Sequence, residues 1–262
     1  FGEVVNLLFD SHIHTTFSTD SKMKIEDAIK KSSQNNIGLI ITEHLDYKYP
    51  KENLFIFDVD KYFESYLPLR SASLYLGVEM GMRTDCLEEN VKTVSDHEFD
   101  FVLGSVHLVD GIDLFLPSYY EAKTKQQAYE RYLEYIYECL RVYDFIDSLG
   151  HIDYIARYSP YQDKEFYYSQ YSEVIDSILK ILAENGKSIE INTRRFENPS
   201  SVTNLIPLYK KFKELGGKTV TIGSDAHNVQ TVSKDLDKAL YIAQECGLKP
   251  VYYKNRTPFY CF

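Results

Sequence analysis

Short apolar segments recur seven times along the chain, and a longer amphipathic segment follows each one. Apolar runs of this length predict buried strands, and the amphipathic segments predict helices that cover the sheet. Because strands alternate with helices, the pattern indicates a parallel sheet, either a barrel or a doubly wound sheet. The predicted strands are Leu7–Phe9, Ile37–Thr42, Leu74–Val78, Phe101–Val106, Phe145–Leu149, Ser188–Asn192 and Thr219–Gly223.

Four of the intervening segments have helical periodicity, and two of them stop near Gly186 and Gly216, as helices commonly do. Pro250–Lys254 is either an extra strand or a tail. There is no Pro- or Ser-rich linker and no internal repeat, so residues 1–262 are predicted to form a single domain. The predicted helices are Lys24–Asn35, Thr124–Tyr143, Val174–Asn185 and Ser201–Leu215.

The amino-acid composition limits the kinds of molecule that the protein is expected to bind. A net charge of -10 argues against a broad basic surface for nucleic acid, but it is compatible with a small phosphorylated substrate. We expect a cytoplasmic protein without a membrane partner, because we find no leader and no apolar run near the ~20 residues of a membrane span. The cysteines are scattered without a C-x-x-C pair and are expected to be reduced; they are Cys86, Cys139, Cys246 and Cys261. Nothing in the sequence indicates an oligomeric state.

Imidazole and carboxylate side chains follow the predicted strands at the point where each strand ends. Six of the seven histidines lie there, and the exception, His97, precedes a strand and is predicted not to bind metal. In parallel α/β folds these carboxyl ends meet at one crevice, which carries the active site. The residues concerned are His12, His14, Asp20, His44, Glu79, His107, His151, Asp225 and His227.

Nitrogen and oxygen ligands without thiolates suit Zn, Mn or Fe in an open catalytic site. Six histidines and three acids exceed the ligand set of one ion, so two to three divalent metal ions are predicted. Glu79 is the most telling of them, because a carboxylate in an apolar run is costly to bury unless it is paired or metal-bound. His12 and His14 alone could be ordinary polar residues, and Asp20 in STDS could equally be a helix cap.

Arginines reach the same rim from the fifth and sixth strands. Arg157 follows His151, and Arg194 with Arg195 follows the sixth strand. A guanidinium group forms fork-like contacts with phosphate oxygens, so Arg157 and Arg194 are candidate phosphate ligands. For Arg195 we favour a surface ion pair with Glu197 or Glu190.

The motifs H-x-H, T-E-H, G-x-E, G-S-V-H, G-H-I-D and G-S-D-A-H occur in this order over almost the whole chain. Together they resemble the polymerase and histidinol phosphatase (PHP) superfamily, and within it the monofunctional histidinol-phosphate phosphatases. The resemblance implies a distorted (β/α)7 barrel. It also implies hydrolysis of the phosphate monoester L-histidinol phosphate, a step of histidine biosynthesis, by attack of a metal-bridging hydroxide.

The resemblance further implies a trinuclear site. The first metal would take His12, His14, Glu79 and Asp225, and the second would share Glu79 and add His107 and His151. The third would take Asp20, His44 and His227, with aspartate at a position where many members have histidine. Asp225 or His227 would carry the proton to the leaving group, and Arg157 and Arg194 would neutralise the phosphoryl oxygens.

Other functions are compatible with the same motifs. A protein-tyrosine phosphatase would differ mainly in the rim of the site, whereas the acidic charge disfavours a nuclease. A PHP domain kept only as an interaction module should have lost ligands, and this chain keeps a candidate at every position of the pattern.

Overall fold

A nine-stranded sheet runs through the computed structural model, which describes residues 7–262. The strands are β1 (Leu8–Ile13), β2 (Ile37–Leu45), β3 (Leu74–Gly81), β4 (Phe101–Ser105), β5 (Leu108–Val109), β6 (Ile112–Asp113), β7 (Ser148–Leu149), β8 (Ser188–Asn192), β9 (Thr219–Gly223), β10 (Lys249–Lys254) and β11 (Thr257–Tyr260). The sheet order is β1-β2-β3-β4-β7-β8-β9-β10-β11, and β5 pairs only with β6. All neighbours in the large sheet are parallel except β10 and β11, which form an antiparallel hairpin.

Helices connect the parallel strands, as the alternation of segments predicts. They are α1 (Ile25–Gln34), α2 (Val59–Tyr66), α3 (Leu87–Asp96), α4 (Lys125–Leu140), α5 (Ile155–Tyr158), α6 (Ser172–Glu184), α7 (Pro199–Glu214) and α8 (Leu236–Glu245). The four helices expected from periodicity are α1, α4, α6 and α7, within a few residues at each end. In the part of the chain that the structure describes, no helix is long and apolar enough to cross a bilayer.

The seven predicted strands all form, but several of their boundaries differ. β1, β2 and β3 run past their apolar segments and include His12, His44 and Glu79. The ladder continues through these polar residues because their side chains find partners inside the protein, and His44 pairs in register with Glu79. The strand predicted at Phe145–Leu149 is shorter and includes only Ser148 and Leu149, while the Phe145 carbonyl accepts a hydrogen bond from Arg256.

Alternation along each strand separates two environments. On β2, Leu39 and Ile41 pack into the large core that the helices cover, whereas Ile40 and His44 face the other side. The second face therefore has an apolar amino end and a polar carboxyl end. Its apolar end is one cluster, formed by Leu7, Phe9, Ile40, Tyr75, Phe101, Leu103, Val251 and Tyr253.

The first strand approaches the segment that follows β9. The amide of His14 donates to the Ala226 carbonyl at 2.9 Å, and the amide of Asp225 donates to the His12 carbonyl at 2.8 Å. At the amino end, β10 occupies the edge of β9 instead, pairing Lys249 with Thr219. The polar residues at the carboxyl end of β1 and those that follow β9 are thus brought together.

Candidate metal centre and active site

Glu79 is the central carboxylate of the site. It is fully buried near the end of β3, and its two oxygens point at different groups of imidazoles. Oε1 lies 2.8 Å from His151 Nε2 and 3.2 Å from His107 Nε2. Oε2 lies 3.3 Å and 3.4 Å from the Nε2 atoms of His12 and His14, and 2.8 Å from His44 Nδ1. A carboxylate with its two oxygens toward different imidazoles would be able to hold two metal ions at once.

The first group of candidate ligands combines β1 with the segment after β9. The Nε2 atoms of His12 and His14 are 3.0 Å apart, and Asp225 Oδ1 lies 3.7 Å and 3.5 Å from them. With metal–ligand distances of about 2.1 Å, tetrahedral geometry separates ligand atoms by about 3.4 Å. The observed separations fit such an ion, with Glu79 as the fourth ligand.

The structure also brings together the residues of the other two sets. His107 and His151 share Glu79 Oε1, as described above. Asp20 Oδ2 lies 3.0 Å from His227 Nε2 and 3.6 Å from His44 Nε2, and the two imidazole nitrogens are 3.3 Å apart. Asp20 is therefore beside these imidazoles rather than at a helix N-terminus, since the residue before α1 is Lys24.

The electrostatics of the cluster favour positive charge at its centre. Burial by itself would raise the pKa of Glu79, but His12, His107 and His44 outweigh it and hold that pKa well below its usual range. Burial lowers the pKa of His44, yet Glu79 and Asp20 raise it to about 10. Metal ions replace protons at such ligands when they bind. The donor set and its field thus fit divalent cations.

Buried acceptors orient the imidazoles. Asp46 Oδ1 lies 2.9 Å from His107 Nδ1, and Glu190 Oε1 lies 2.7 Å from His12 Nδ1. The Ser18 hydroxyl donates to Glu43 at 2.6 Å and can therefore accept from His14 Nδ1 at 3.0 Å. A carboxylate that accepts from Nδ1 leaves the Nε2 lone pair free for a metal, as in many metalloenzymes.

Sequence reasoning did not assign these orienting residues to the site. Glu190 and Asn192 alternate within the apolar strand β8, the same signal that singled out Glu79. Asp46 follows His44 by two residues and so lies on the same side of the chain. Gly223 leaves room for Glu190, because a Cβ there would collide with Glu190 Oε1 and with the Cβ of His12.

The arginines divide into two kinds. Arg157 donates to Asp225 Oδ2 at 2.5 Å and to Asn192 Oδ1 at 2.9 Å. Arg194 donates to the Asp225 carbonyl, and its side chain stays 38% exposed at the rim. Both line the cavity above the cluster.

Arg195 pairs with Asp153 at 2.6 Å and with Glu165 at 3.1 Å. The partners predicted for it, Glu197 and Glu190, were wrong, because Glu190 turns inward to His12 and Glu197 pairs with Lys234. The Arg195 side chain is also largely buried rather than on the surface.

His97 lies outside the cluster, at the end of α3, where its ring contacts the Thr93 carbonyl and Asp60. The sequence prediction had placed it away from the other six histidines, and the structure agrees.

A cavity of ≈ 450 Å³ opens above the cluster. His44, His107, His151 and Asp225 contribute to its floor, and its walls are largely aromatic. A buried acid, Asp113, also lines the cavity, and it accepts from the Tyr49 hydroxyl at 2.5 Å and from the Phe115 amide at 2.7 Å. The volume is that of a small-molecule site.

A parallel sheet whose strand ends gather imidazoles around a bridging carboxylate is typical of α/β enzymes that bind divalent metal ions. The PHP domain family matches residues 10–194 of the chain. The chain belongs to the PHP domain family, and the resemblance found in its motifs is confirmed.

Two named relatives and one solved structure are similar to this chain over most of its length. A protein of Clostridium acetobutylicum named probable histidinol-phosphatase is 46% identical over 254 residues, which cover 97% of this chain and 100% of the relative. A histidinol-phosphatase of Lactococcus lactis is 31% identical over 245 residues, 91% of each chain. The crystal structure of histidinol phosphate phosphatase from Lactococcus lactis, complexed with zinc, L-histidinol and phosphate, matches with a TM-score of 0.91 at 29% identity. That match covers 96% of this chain and 98% of the other.

Proposed function

We propose that the chain is a metal-dependent phosphatase that hydrolyses L-histidinol phosphate to L-histidinol and phosphate in histidine biosynthesis. The observation that carries this proposal is a cluster of nine imidazole and carboxylate residues built around the two oxygens of Glu79 and around Asp20. The names of the relatives support it, and so does the zinc, L-histidinol and phosphate in the similar crystal structure.

Two to three divalent ions, Zn, Mn or Fe, are proposed to occupy the site. The first would be held by His12, His14, Glu79 and Asp225, the second by Glu79, His107 and His151, and the third by Asp20, His44 and His227. When bound, the ions would supply an acidified water as nucleophile and would neutralise charge on the phosphoryl group.

The chain's own residues prepare the substrate for this chemistry. Arg157 is held by Asp225 and Asn192, so its guanidinium is fixed at the cavity wall before substrate arrives. Arg194 is more exposed and can close on a phosphoryl oxygen. Together they would orient the ester and stabilise charge that develops in the transition state.

Of the two candidate proton donors, His227 fits better than Asp225. Burial would raise the pKa of Asp225, but Arg157 and His12 hold it well below its usual range, so Asp225 stays ionised. His227 lies at the mouth of the cavity, next to Asp20 and Arg194. We propose that Asp225 acts only as a ligand and that His227 passes the proton to the leaving alkoxide in enzyme that holds two ions, in which its Nε2 binds no metal.

The rest of the cavity suits a small cationic leaving group. Phe115 and Tyr158 form an edge-to-face aromatic pair with centroids 5.2 Å apart, and Asp113 supplies a negative charge near them. An aromatic wall beside a carboxylate would meet an imidazole ring and an ammonium group. We propose no nucleic-acid or membrane partner.

Three further proposals concern the chain as a whole. A single domain over residues 1–262 is supported by one sheet that extends from Leu8 to Tyr260. Closure into a distorted (β/α)7 barrel is supported by the bridge between Ile13 and Ala226. A cytoplasmic location is supported by cysteines that are all free thiols.

Phosphate release from a panel of esters tests the function. Histidinol phosphate, tyrosine phosphate and single-stranded DNA would be supplied to the same sample, whose metal content is measured in parallel. We expect selective release from histidinol phosphate by protein that carries at least two ions per chain. Selective hydrolysis of tyrosine phosphate or DNA would assign a different phosphoesterase. Inactivity after Mn or Zn is restored would indicate an interaction module.

A further inference from the structure

Asp10 is a buried carboxylate of β1 that the proposed chemistry does not use. It precedes His12 by two residues, yet it contacts no imidazole of the cluster. Its oxygens instead accept two backbone amides from one distant segment. Oδ1 accepts from Ser224 at 2.8 Å, and Oδ2 accepts from Ser233 at 2.8 Å. Asp10 therefore ties both ends of residues 224–233 to the first strand.

The tied segment carries two of the candidate ligands, Asp225 and His227. It has an unfavourable backbone: Asp225 and Ser233 have φ angles of 54° and 58°, in the left-handed region that costs free energy for residues other than glycine. Such conformations persist only when the surroundings enforce them. The carboxylate of Asp10 meets this need at both ends of the segment.

The remaining contacts of the segment with the first strand and its loop lie near its beginning. The Asp225 amide donates to the His12 carbonyl, and the Ser21 hydroxyl donates to the His227 carbonyl at 3.1 Å. At the far end, Ser233 is held by Asp10. A side chain can receive two amides in this way only if both of its terminal atoms accept hydrogen bonds. An ionised carboxylate meets this condition because neither of its oxygens carries a hydrogen.

We propose that Asp10 is a positioning residue that holds Asp225 and His227 at the geometry needed to bind the first and third metal ions. The inference rests on the proposed metal assignment. Asp10 acts through the backbone of the segment and touches neither metal nor substrate. The second ion, held by His107, His151 and Glu79, has no ligand on the segment and should not depend on Asp10.

Asp100 provides a matched control. It is also a buried carboxylate at a strand, and it also receives one backbone amide on each oxygen: Asn255 at 2.9 Å and Leu76 at 3.0 Å. It lies at the amino end of β4, away from the cluster. The variants D10N and D100N thus make the same chemical change, and D100N also weakens the ion pair of Asp100 with Arg70, so it controls for general destabilisation.

The test is a Mn²⁺ titration of metal-stripped wild type, D10N and D100N, with bound ions counted per chain below the melting temperature of each variant. We expect wild type and D100N to titrate alike. D10N should keep one ion at wild-type affinity and bind the others about 10- to 100-fold more weakly, as when partners of metal ligands are removed. If D10N does not accumulate as folded protein, D10S, which leaves room for water at the two amides, carries the same expectation.

Equal titrations of D10N and D100N would overturn the positioning role while leaving the proposed function intact. A uniform weakening of all ions in D10N would also overturn it, since that is the result of general destabilisation. Wild type that binds no Mn²⁺ would overturn both this inference and the proposed metal site.

Discussion

The two ends of the parallel sheet both bury carboxylates, but they give them different partners. At the amino end, Asp147 accepts from the Val102 amide at 2.8 Å and from Arg256 at 2.5 Å, and Asp100 pairs with Arg70. At the carboxyl end, Glu79 faces imidazoles on both of its oxygens. Imidazole and carboxylate are both Lewis bases, so their lone pairs converge on the same small volume. These amino-end carboxylates pair with arginines, whereas Glu79 has only imidazoles within ion-pair distance among the described residues.

The hairpin of β10 and β11 completes the amino end. Its two-residue turn, Asn255 and Arg256, has positive φ at both positions, as tight hairpin turns require. The Arg256 amide donates to the Asp100 carbonyl at 2.9 Å, and its guanidinium reaches Asp147. We infer that the carboxylates paired with arginines stabilise the fold, whereas the carboxylates that face imidazoles bind a ligand. The predictions below test this contrast.

The largest effect is expected from loss of a ligand at the carboxyl end. D225N and the substitution of His107 by Asn should each lower the rate of phosphate release from histidinol phosphate by at least about 10²- to 10³-fold, because the stabilisation of phosphoryl charge is lost. Steady-state kinetics measures this, and circular dichroism checks that the variants remain folded. Turnover near that of wild type in either variant would contradict the site.

Two adjacent arginines sharpen the contrast within a single loop. Arg194 points to Asp225 at the cavity, and Arg195 is paired with Asp153 away from it. R194M should lower kcat/KM by about 10²-fold, because a donor to the phosphoryl group is lost. R195M should retain wild-type kinetics but unfold at lower temperature. Equal losses of kcat/KM in both variants would mean that the two arginines affect activity only by stabilising the fold.

A smaller effect is expected from an orienting carboxylate. In wild type, Glu190 Oε2 accepts a hydrogen bond from the His151 amide at 2.7 Å. E190Q replaces one carboxylate oxygen by an NH2 group, so that a donor would face this amide. Removal of such a partner typically weakens metal binding by about 10- to 100-fold. Activity measured against Mn²⁺ concentration should shift accordingly and recover at high metal. E165Q, a change at the Arg195 ion pair, serves as the control and should show no shift.

The smallest effect on activity is expected at the amino end. R256M leaves the buried Asp147 carboxylate without a charged hydrogen-bond donor and should lower the free energy of unfolding by about 2 kcal/mol, since Arg256 itself is partly exposed. Metal content and kcat at 25 °C should stay at wild-type values. Denaturant unfolding and metal analysis measure the two quantities separately. Loss of bound metal in this variant would break the distinction between the two ends.

The sequence predicted the parallel architecture because apolar strand segments are hard to mistake when helices separate them. It did not predict β11, since Thr257–Tyr260 is exposed, contains Pro258 and follows a turn without glycine. The short hairpin of β5 and β6 was missed as well, because two-residue strands carry no periodicity.

The candidate ligands could be found from the sequence because imidazoles and carboxylates are unusual at the ends of buried strands. Their supporting contacts could not. Whether Glu190 turns toward Arg195 or His12 depends on side-chain packing across the sheet, and Asp10 reaches Ser233 only once the chain has folded. Contacts between residues 178 and 223 positions apart leave no local pattern.

Anomalous diffraction from crystals loaded with Mn²⁺ would show where metal ions bind at the carboxyl ends of the strands. We expect anomalous peaks at up to three positions: within the group of His12, His14 and Asp225, between Glu79 and His151, and beside Asp20. Glu79 should bridge the first two. Crystals that bind Mn²⁺ only elsewhere, or that show no peak within reach of Glu79, would contradict the proposed metal site.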